Sequence, residues 1–456
     1  MKKLNCIPFV IVLLFSLSIQ AQTKKWTLEE CVKYAIDNNI SIKQTELDTK
    51  TAAIDKKGAI GNFLPSLNAN ASHSWNIGLN QDITTGLLRN QTTQFTSAGA
   101  NVGIDIYRGL QNQNTLRRAN LSIIAAKYQL TKMKEDVALN VANAFLQVLF
   151  NKENLKVQQD QKANNEKQLL RSEELVKAGS VPRGDLLDIK ATVAADGQRV
   201  VTAENALLIS KLSLAQLLQL KEFYDFDITD ETSVKDENNI LEQTPIAVYD
   251  KAKELRTELK IAKTNLEIAE KNVAIAKGGF QPTLQGFYSI NTRISYADVP
   301  IFDTDGNFIG TGSPPTFSNQ FIDNKGQNFG VQLSIPIFNG FSARNNVERS
   351  KVNLEKSKIA VEQEELTLQR NVYTAFTDAK GGLNAYQSAL SALEARQEAY
   401  NYAKERYAVG MMNSFDFNQS QTLLSNAQSE VLRTKYDYIF KIKILEFYFG
   451  IPILKN

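Results

Sequence analysis

Cysteine and histidine are almost missing from this sequence of 456 residues. The cysteines are Cys6 and Cys31, and His73 is the single histidine. If Cys6 leaves with an N-terminal signal, the lone Cys31 cannot form an internal disulfide, so the fold must be stable without one. One histidine and no cysteine–histidine cluster offer neither a set of metal ligands nor a catalytic base with partners. We therefore expect a protein that is not an enzyme and has no catalytic site, no metal and no cofactor.

Long apolar runs and an excess of one charge are also lacking. The 52 basic and 49 acidic side chains leave a formal net charge of +3, which gives no reason to expect nucleic acid as a partner. The apolar run Ile7–Ile19 follows Lys2 and Lys3 and predicts a secretory signal peptide at 1–21. No later run reaches the roughly 18 residues of a spanning helix. An exported chain of this kind can cross an outer membrane only as a closed β-barrel.

Proline and glycine are missing from two very long stretches. Leu110–Ala178 contains neither, and Phe341–Ala408 is interrupted only by Gly381 and Gly382. Each stretch predicts a helix of about 68 residues, about 100 Å long at 1.5 Å per residue. Apolar residues are sparse from Asn151 to Leu175 in the first stretch. Such a helix suits the wall of a tube that has water on both sides and packs only along its edges. A plain soluble coiled coil is the alternative, because heptads are expected there as well.

Four segments alternate between apolar and polar residues: Leu67–Leu79, Ala98–Ile106, Leu284–Ile294 and Phe329–Ile337. A period of two gives a strand one apolar and one polar face, and about 10 residues suffice for a tilted strand to cross a bilayer. A soluble sandwich would show the same alternation, but four strands separated by long helices have little core to share. Because known small barrels need at least about eight strands, four strands from one chain require an oligomer.

The two halves repeat one design, which predicts an internal duplication. The helix-to-strand joints at Pro65 and Pro282 correspond, as do the strand-to-helix joints at Gly109 and Gly340. The predicted fold class is mainly α with a transmembrane β-barrel, built from long helical hairpins and four strands per subunit. The predicted divisions are a signal peptide at 1–21, short helices at 22–64, a membrane β-hairpin at 65–108, a long helical hairpin at 109–220, a connector at 221–244, short helices at 245–281, a second membrane β-hairpin at 282–338, and a second long helical hairpin with the C-terminus at 339–456.

Several motifs in fixed order resemble the TolC family of outer-membrane efflux proteins. They are Trp26-Thr27-Leu28-Glu29-Glu30, Phe63-Leu64-Pro65-Ser66-Leu67, Leu333-Ser334-Ile335-Pro336-Ile337-Phe338-Asn339-Gly340, and Arg406-Tyr407-Ala408-Val409-Gly410 followed by Phe415-Asp416. The resemblance covers nearly all of the mature chain. It implies a homotrimer with a 12-stranded barrel and a 12-column helical tube, set in outer-membrane lipid and extending into the periplasm. It also implies a passive exit duct that serves tripartite efflux or type I secretion, with a periplasmic adaptor and an inner-membrane pump as partners.

The turns at Gly179 and Gly410 join the long helices to the returning helices. A glycine after a helix C-terminus supplies the left-handed cap, and that structural role is expected here. In the family these turns also form the periplasmic tip that meets the adaptor.

The resemblance places Asp416 on an acidic ring at the closed entrance. The family's second acidic position is Gln419 in this chain, which weakens the ring. Asp185 and Asp188 lie one turn apart and could compensate, although Asp185 could equally serve as a first-turn acid.

Four aromatic residues on or near the strands are expected in the core or in an interfacial belt: Trp75, Phe287, Tyr288 and Tyr296. The stretch from Asp298 to Lys325 is expected to be a long extracellular loop. The rival function is a periplasmic coiled-coil adaptor or scaffold without a pore. That interpretation predicts no strands of membrane-spanning length.

Overall fold

The computed structural model describes residues 25–81, 86–221, 225–230 and 240–451. The predicted signal peptide at 1–21 lies outside these ranges. The described residues fall into two compact units, one within 1–42, 134–252 and 371–456 and the other within 43–133 and 253–370. None of the helices in the described ranges is both long enough and apolar enough to cross a membrane.

Strands and helices alternate in the same order in the two halves of the chain. In the first half they are β1 (Lys25–Trp26), α1 (Leu28–Asn38), α2 (Ile40–Gly61), β2 (Ser66–Gln81), β3 (Leu88–Arg108), α3 (Gln111–Lys177) and α4 (Arg183–Leu218). In the second half they are β4 (Asp227–Ile228), α5 (Pro245–Leu255), α6 (Thr257–Gly278), β5 (Thr283–Ser295), β6 (Val299–Phe302), β7 (Phe308–Gly312), α7 (Phe317–Asp323), β8 (Gly326–Ser334), α8 (Ser342–Ala408) and α9 (Ser414–Phe449).

The long helices form where proline is missing. Helices α3 and α8 have 67 residues each, and the returning helices α4 and α9 have 36 each. The pair Gly381 and Gly382 does not interrupt α8. A side chain at Gly382 would place its Cβ 3.3 Å from the Cα of Tyr438, so this glycine allows α8 and α9 to approach closely.

Side-chain caps begin the first helix of each half. Thr27 and Glu30 form a capping box before α1, in which each side chain accepts a hydrogen bond from the other residue's backbone N–H. Thr244 Oγ1 accepts a hydrogen bond from the backbone N–H of Ala247, with Pro245 as the first residue of α5. These caps begin the helices that open the two halves.

The first unit has an apolar core and a short sheet at its edge. Its largest fully buried side chains include Phe145, Leu149, Leu214, Leu218, Ile228, Ile240, Ile442 and Leu445. Strand β1 pairs in parallel with β4. Lys152 Nζ lies 2.6 Å from Asp230 and 3.3 Å from Asp227, and Lys211 Nζ lies 2.9 Å from Asp227. The segment predicted as a connector therefore carries a strand and the carboxylates of an ion-pair cluster.

The second unit contains a four-stranded antiparallel sheet in the order β2-β3-β5-β8. Its strands have 16, 21, 13 and 9 residues, so three of them are longer than the predicted length of about 10. The alternating run predicted to continue to Ile337 ends as a strand at Ser334. Pro336 lacks the N–H that a further ladder bond requires, which accounts for the early end.

The stretch predicted as a long loop, from Asp298 to Lys325, contains the β6–β7 hairpin and α7. The hairpin turn is fixed by Asp303, whose Oδ1 accepts hydrogen bonds from the backbone N–H groups of Asp305 and Asn307, and by Gly306 at φ +83°. The turn residues Asp-Gly-Asn at 305–307 are a hairpin signal that was not recognised in the sequence.

Candidate functional site

Strand register gathers the apolar positions of all four strands on one face of the sheet. One row across the strands is Leu67, Val102, Tyr288 and Phe329, and the next is Ala69, Ala100, Ile290 and Gln327. Leu67 is 72% exposed and Phe329 is 78% exposed. Large apolar side chains that are exposed on one face of a sheet mark a surface that is covered by lipid or by another protein.

The opposite face is polar and carries mainly amides, hydroxyls and glycine. One row is Asn68, Asn101, Ser289 and Asn328, and another is Asn70, Gly99, Asn291 and Gly326. An antiparallel sheet of long strands with one apolar and one polar face is typical of an outer-membrane barrel wall. The arrangement can therefore separate lipid from a water-filled lumen.

Three of the four predicted belt aromatics lie on or beside the apolar face. The His73 ring contacts Trp75 at 4.3 Å and Tyr296 at 5.5 Å between ring centroids, and His73 Nδ1 lies 2.8 Å from Thr96 Oγ1. Phe287 is the exception, because its neighbour Tyr288 occupies the apolar face and the pleat turns Phe287 to the polar face. There it packs on β8, where a Cβ at Gly330 would lie 3.1 Å from Phe287. Phe287 therefore packs against β8 on the polar face and does not join the aromatic residues of the apolar face.

The joints between sheet and helices have the same backbone conformation in both halves. Pro65 and Pro282 directly precede β2 and β5. At the other joints Gly109 and Gly340 have φ +56° and +60°, and the residues that follow them, Leu110 and Phe341, have φ +59° and +64°. Each strand thus enters its long helix through two successive left-handed residues. The glycines were predicted from the sequence, but the left-handed leucine and phenylalanine were not.

The turns at Gly179 and Gly410 are two copies of one helix-ending motif. Gly179 has φ +69° and Gly410 has φ +76°. In the first turn, the N–H of Ser180 donates to the carbonyl of Leu175 at 2.9 Å. In the second, the N–H of Met411 donates to the carbonyl of Arg406 at 2.8 Å. These are Schellman caps, and both glycines are exposed with open space where a Cβ would stand.

The candidate gate residues lie in the first two turns of the returning helices. Asp416 is exposed; its backbone N–H donates to Asn413 Oδ1 at 2.8 Å, and its Oδ2 accepts from Asn413 Nδ2 at 2.9 Å. Gln419, one turn further along α9, is also exposed. The cap formed by Asn413 was not recognised in the sequence, although asparagine three residues before an acidic residue is a known N-cap signal.

The corresponding acids of the first half are Asp185 and Asp188, and the helix that carries them has no side-chain N-cap hydrogen bond. Asp185 lies in the first turn of α4 and is half-buried, whereas Asp188 is exposed. Pro182 is the N-cap of this helix, so it provides no side-chain acceptor. Within the described ranges, no hydrogen bond or ion pair joins Asp185 or Asp188 to Asp416 or Gln419. The described residues also contain no group of three or more His, Cys, Asp or Glu side chains that could hold a metal ion.

Comparison with known proteins identifies the family. The outer membrane efflux protein family model matches residues 32–219 and 248–443. Outer membrane protein TolC of Escherichia coli strain K12 is 23% identical over 444 residues, which cover 96% of this chain and 84% of that protein.

Solved structures share the fold at lower identity. A membrane protein from Pseudomonas aeruginosa has a TM-score of 0.78 at 17% identity, covering 92% of this chain and 90% of that one. The CmeC outer membrane channel of Campylobacter jejuni has a TM-score of 0.76 at 18% identity, covering 93% and 85%. The predicted fold class, mainly helical with the strands of an outer-membrane channel, is confirmed. The chain belongs to the outer membrane efflux protein family, and it is an outer-membrane efflux channel protein that extends into the periplasm.

Proposed function

We propose that three copies of this chain form the exit duct of a tripartite efflux or type I secretion system. The duct conducts passively: an inner-membrane pump expels the substrate, and a periplasmic adaptor joins the pump to the duct. Each copy contributes four strands, so three copies contribute 4 × 3 = 12 strands to one barrel, within the size range of known outer-membrane barrels.

The open edges of the sheet are the observation that carries this proposal. Among the described residues, strands β2 and β8 each have a partner on one side only. Unpaired backbone N–H and C=O groups are not tolerated in lipid, so these edges need further strands. The strands run alternately up and down, so β8 of one copy can pair with β2 of the next in the antiparallel sense that the sheet already uses.

The polar face of the sheet favours a conduit over the rival function, an adaptor or scaffold without a pore. An adaptor that lies in the periplasm does not require four long strands with one apolar, lipid-facing side and one polar, water-facing side. The family and the similar solved structures are channels, which agrees with this choice.

Asp416 is proposed as the charged residue of the periplasmic entrance. Its carboxylate is exposed at the start of α9, and the cap formed by Asn413 holds it in place. Three copies would form a ring of negative charge, which attracts cations. Asp185 and Asp188 are the candidates for additional charge, and the amide of Gln419 adds none.

Planar-bilayer recording tests both the pore and the gate. We expect the wild-type protein to form conducting channels with cation preference, and Asp416→Asn to change conductance and to weaken that preference. Asparagine preserves the size of the side chain and an acceptor for Asn413. Glu174→Gln is the matched control, because Glu174 is an exposed acid near the Gly179 turn that pairs with Lys177 at 2.8 Å. Unchanged conductance and selectivity in Asp416→Asn would refute the gate assignment, and a protein that never conducts would refute the duct.

A further inference from the structure

Charge is nearly missing from the polar face of the sheet. By register, the rows between the one that contains Asp105 and the one that contains Arg293 hold only uncharged residues. At one end, Asp105 pairs with Arg108 at 3.2 Å, so these two charges offset each other. At the other end Arg293 is exposed on β5, and no described carboxylate forms an ion pair with it.

The Arg293 guanidinium has a defined position. Its Cζ lies 3.9 Å from the centroid of the Phe95 ring on the neighbouring strand β3. Phe95 is paired with Ser295 and lies on the same polar face as Arg293, and this face also carries Phe287 nearer the helices. A cation stacked on an aromatic ring is held without being neutralised. This contact therefore explains a phenylalanine on the polar face.

Helix α7 fixes the backbone around Arg293. The β5–β8 ladder ends at the pair Asn291 and Gly326, so no strand within the described ranges pairs with the last residues of β5 on that side. The side chain of Gln320 stands in for a strand. Its Oε1 accepts a hydrogen bond from the N–H of Ser295, and its Nε2 donates to the carbonyl of Ser295, both at 2.9 Å. Asn324 Nδ2 donates to the carbonyl of Arg293 at 2.7 Å. Side-chain amides thus satisfy the backbone groups that a missing strand would otherwise pair with, and hold this end of β5 in its extended form.

We propose that Arg293 is the charge-selecting residue of the membrane part of the duct and favours anionic solutes at its outer end. The inference rests on the proposed function, because it requires the polar face to line a water-filled lumen. In a trimer, three copies of Arg293 would form a ring of positive charge above a lumen wall of amides and hydroxyls. Such a ring raises the local concentration of anions.

A cysteine reporter measures the local potential directly. Asn291→Cys places a thiol on the polar face two residues from Arg293, about 7 Å along the strand. The native Cys31 is buried, and burial together with the charge of Glu30 raises its pKa to about 12, so the added thiol is the reactive one. The trimeric protein is reacted with anionic and cationic methanethiosulfonate reagents at low salt. We expect the anionic reagent to be favoured, and Arg293→Gln to lower the anion-to-cation rate ratio about threefold, as a screened unit charge at this distance predicts.

Three variants act as controls for this result. Arg293→Lys retains the charge and is expected to retain the ratio. Arg108→Gln removes a charge at the other end of the sheet and is expected to leave the ratio unchanged. Ser289→Cys repeats the measurement at a second polar-face position, where a smaller effect in the same direction is expected.

Failure of the inference is distinguishable from failure of the proposed function. If the thiol of Asn291→Cys reacts rapidly but adding Arg293→Gln leaves the ratio unchanged, Arg293 does not select charge, and the duct stands. Ile290→Cys places the thiol on the apolar face, where we expect it to be protected from both reagents by lipid or detergent. If the thiol of Ile290→Cys reacts as fast as that of Asn291→Cys, the polar face does not line a separate lumen, and the proposed function fails.

Discussion

Glycines at equivalent positions of the two halves meet different surroundings. Gly109 and Gly340 share a left-handed backbone, but a Cβ at Gly109 would lie 2.3 Å from the carbonyl oxygen of Gly278, whereas one at Gly340 would meet nothing within 4 Å. Gly278 is equally constrained, with its Cβ position 2.5 Å from the carbonyl oxygen of Gly109. At the joint between β3 and α3 the backbones of Gly109 and Gly278 are therefore in close contact. At the corresponding joint in the second half, no atom of the chain lies close to the Cβ position of Gly340.

This difference predicts unequal costs for the same substitution. Alanine at either position incurs the strain of a left-handed residue, about 1–2 kcal/mol. We expect Gly109→Ala to lose more thermal stability and folded yield than Gly340→Ala. The alanine Cβ at position 109 would also overlap the carbonyl oxygen of Gly278, which the backbone holds in place. Thermal unfolding of the purified variants in detergent gives the comparison, with Gly340→Ala as the matched control. Equal losses in the two variants would contradict the role assigned to the Gly109–Gly278 contact.

At the scale of elements, the helices were predictable and the details of the sheet were only partly so. The ends of α3 and α8 lie within one residue of the uninterrupted stretches, because helix breakers mark both ends. Alternation identified the strand faces, but it carries no information about which strands pair. Register, the irregularity between Asp105 and Tyr107, and the replacement of strand by α7 depend on contacts between segments distant in sequence.

The same reason applies to the candidate site. Asp416 and the tip glycines were found from motif positions. The Arg293–Phe95 contact was not, because the two residues lie about two hundred positions apart and meet only through strand register. The left-handed Leu110 and Phe341 had no signal, since neither residue type favours that conformation.

The turn at Gly410 allows a test of adaptor docking that leaves the fold intact. Asparagine tolerates a left-handed backbone, and no atom lies within 4 Å of the Cβ position. Gly410→Asn should therefore preserve oligomer mass and thermal stability while it adds a side chain to the proposed docking surface. We expect cross-linking to the periplasmic adaptor in cells to fall several-fold. Gly306→Asn, a left-handed glycine in the β6–β7 turn, is the control, and undiminished cross-linking in Gly410→Asn would contradict tip docking.

The β1–β4 pairing predicts a response to acid. Burial opposes ionisation of Asp227, but the hydrogen bond and charge of Lys211, the backbone N–H of Ile228 and the charge of Lys152 outweigh it and lower the pKa of this carboxyl. A pKa that is lower in the folded state than in the unfolded state gives stability that is present above about pH 4, the unfolded value, and is lost as the pH falls below it. We therefore expect the attachment of β1 to loosen in acid.

Trp26 reports on this attachment, because its ring contacts Tyr34 at 5.1 Å and Phe226 at 6.1 Å between centroids. In a Trp75→Phe background, Trp26 is the remaining tryptophan of the chain. We expect its fluorescence to shift as the pH falls below about 4, and Asp227→Asn to show the loosened signal already at neutral pH. A signal that is flat from about pH 6 to pH 3, or an unchanged transition in Asp227→Asn, would contradict this role.

At the scale of the whole molecule, closure of the barrel depends on the two open edges of the sheet. The sheet has four strands with an apolar face, and in the part of the chain that the structure describes β2 and β8 have no strand on their outer sides. In the outer membrane these edges must be paired, and further copies of the chain are the partners whose strand direction fits. The proposed trimer, its lumen and the proposed rings of Asp416 and Arg293 all depend on that closure.

The detergent-corrected mass of the protein extracted from outer membranes tests this closure most directly. Sedimentation or light scattering with the detergent contribution subtracted gives the mass of the protein alone. Closure by three copies predicts three times the mass of the mature subunit. A stable monomer with all four strands formed would leave unpaired edges in the membrane, and it would contradict the duct.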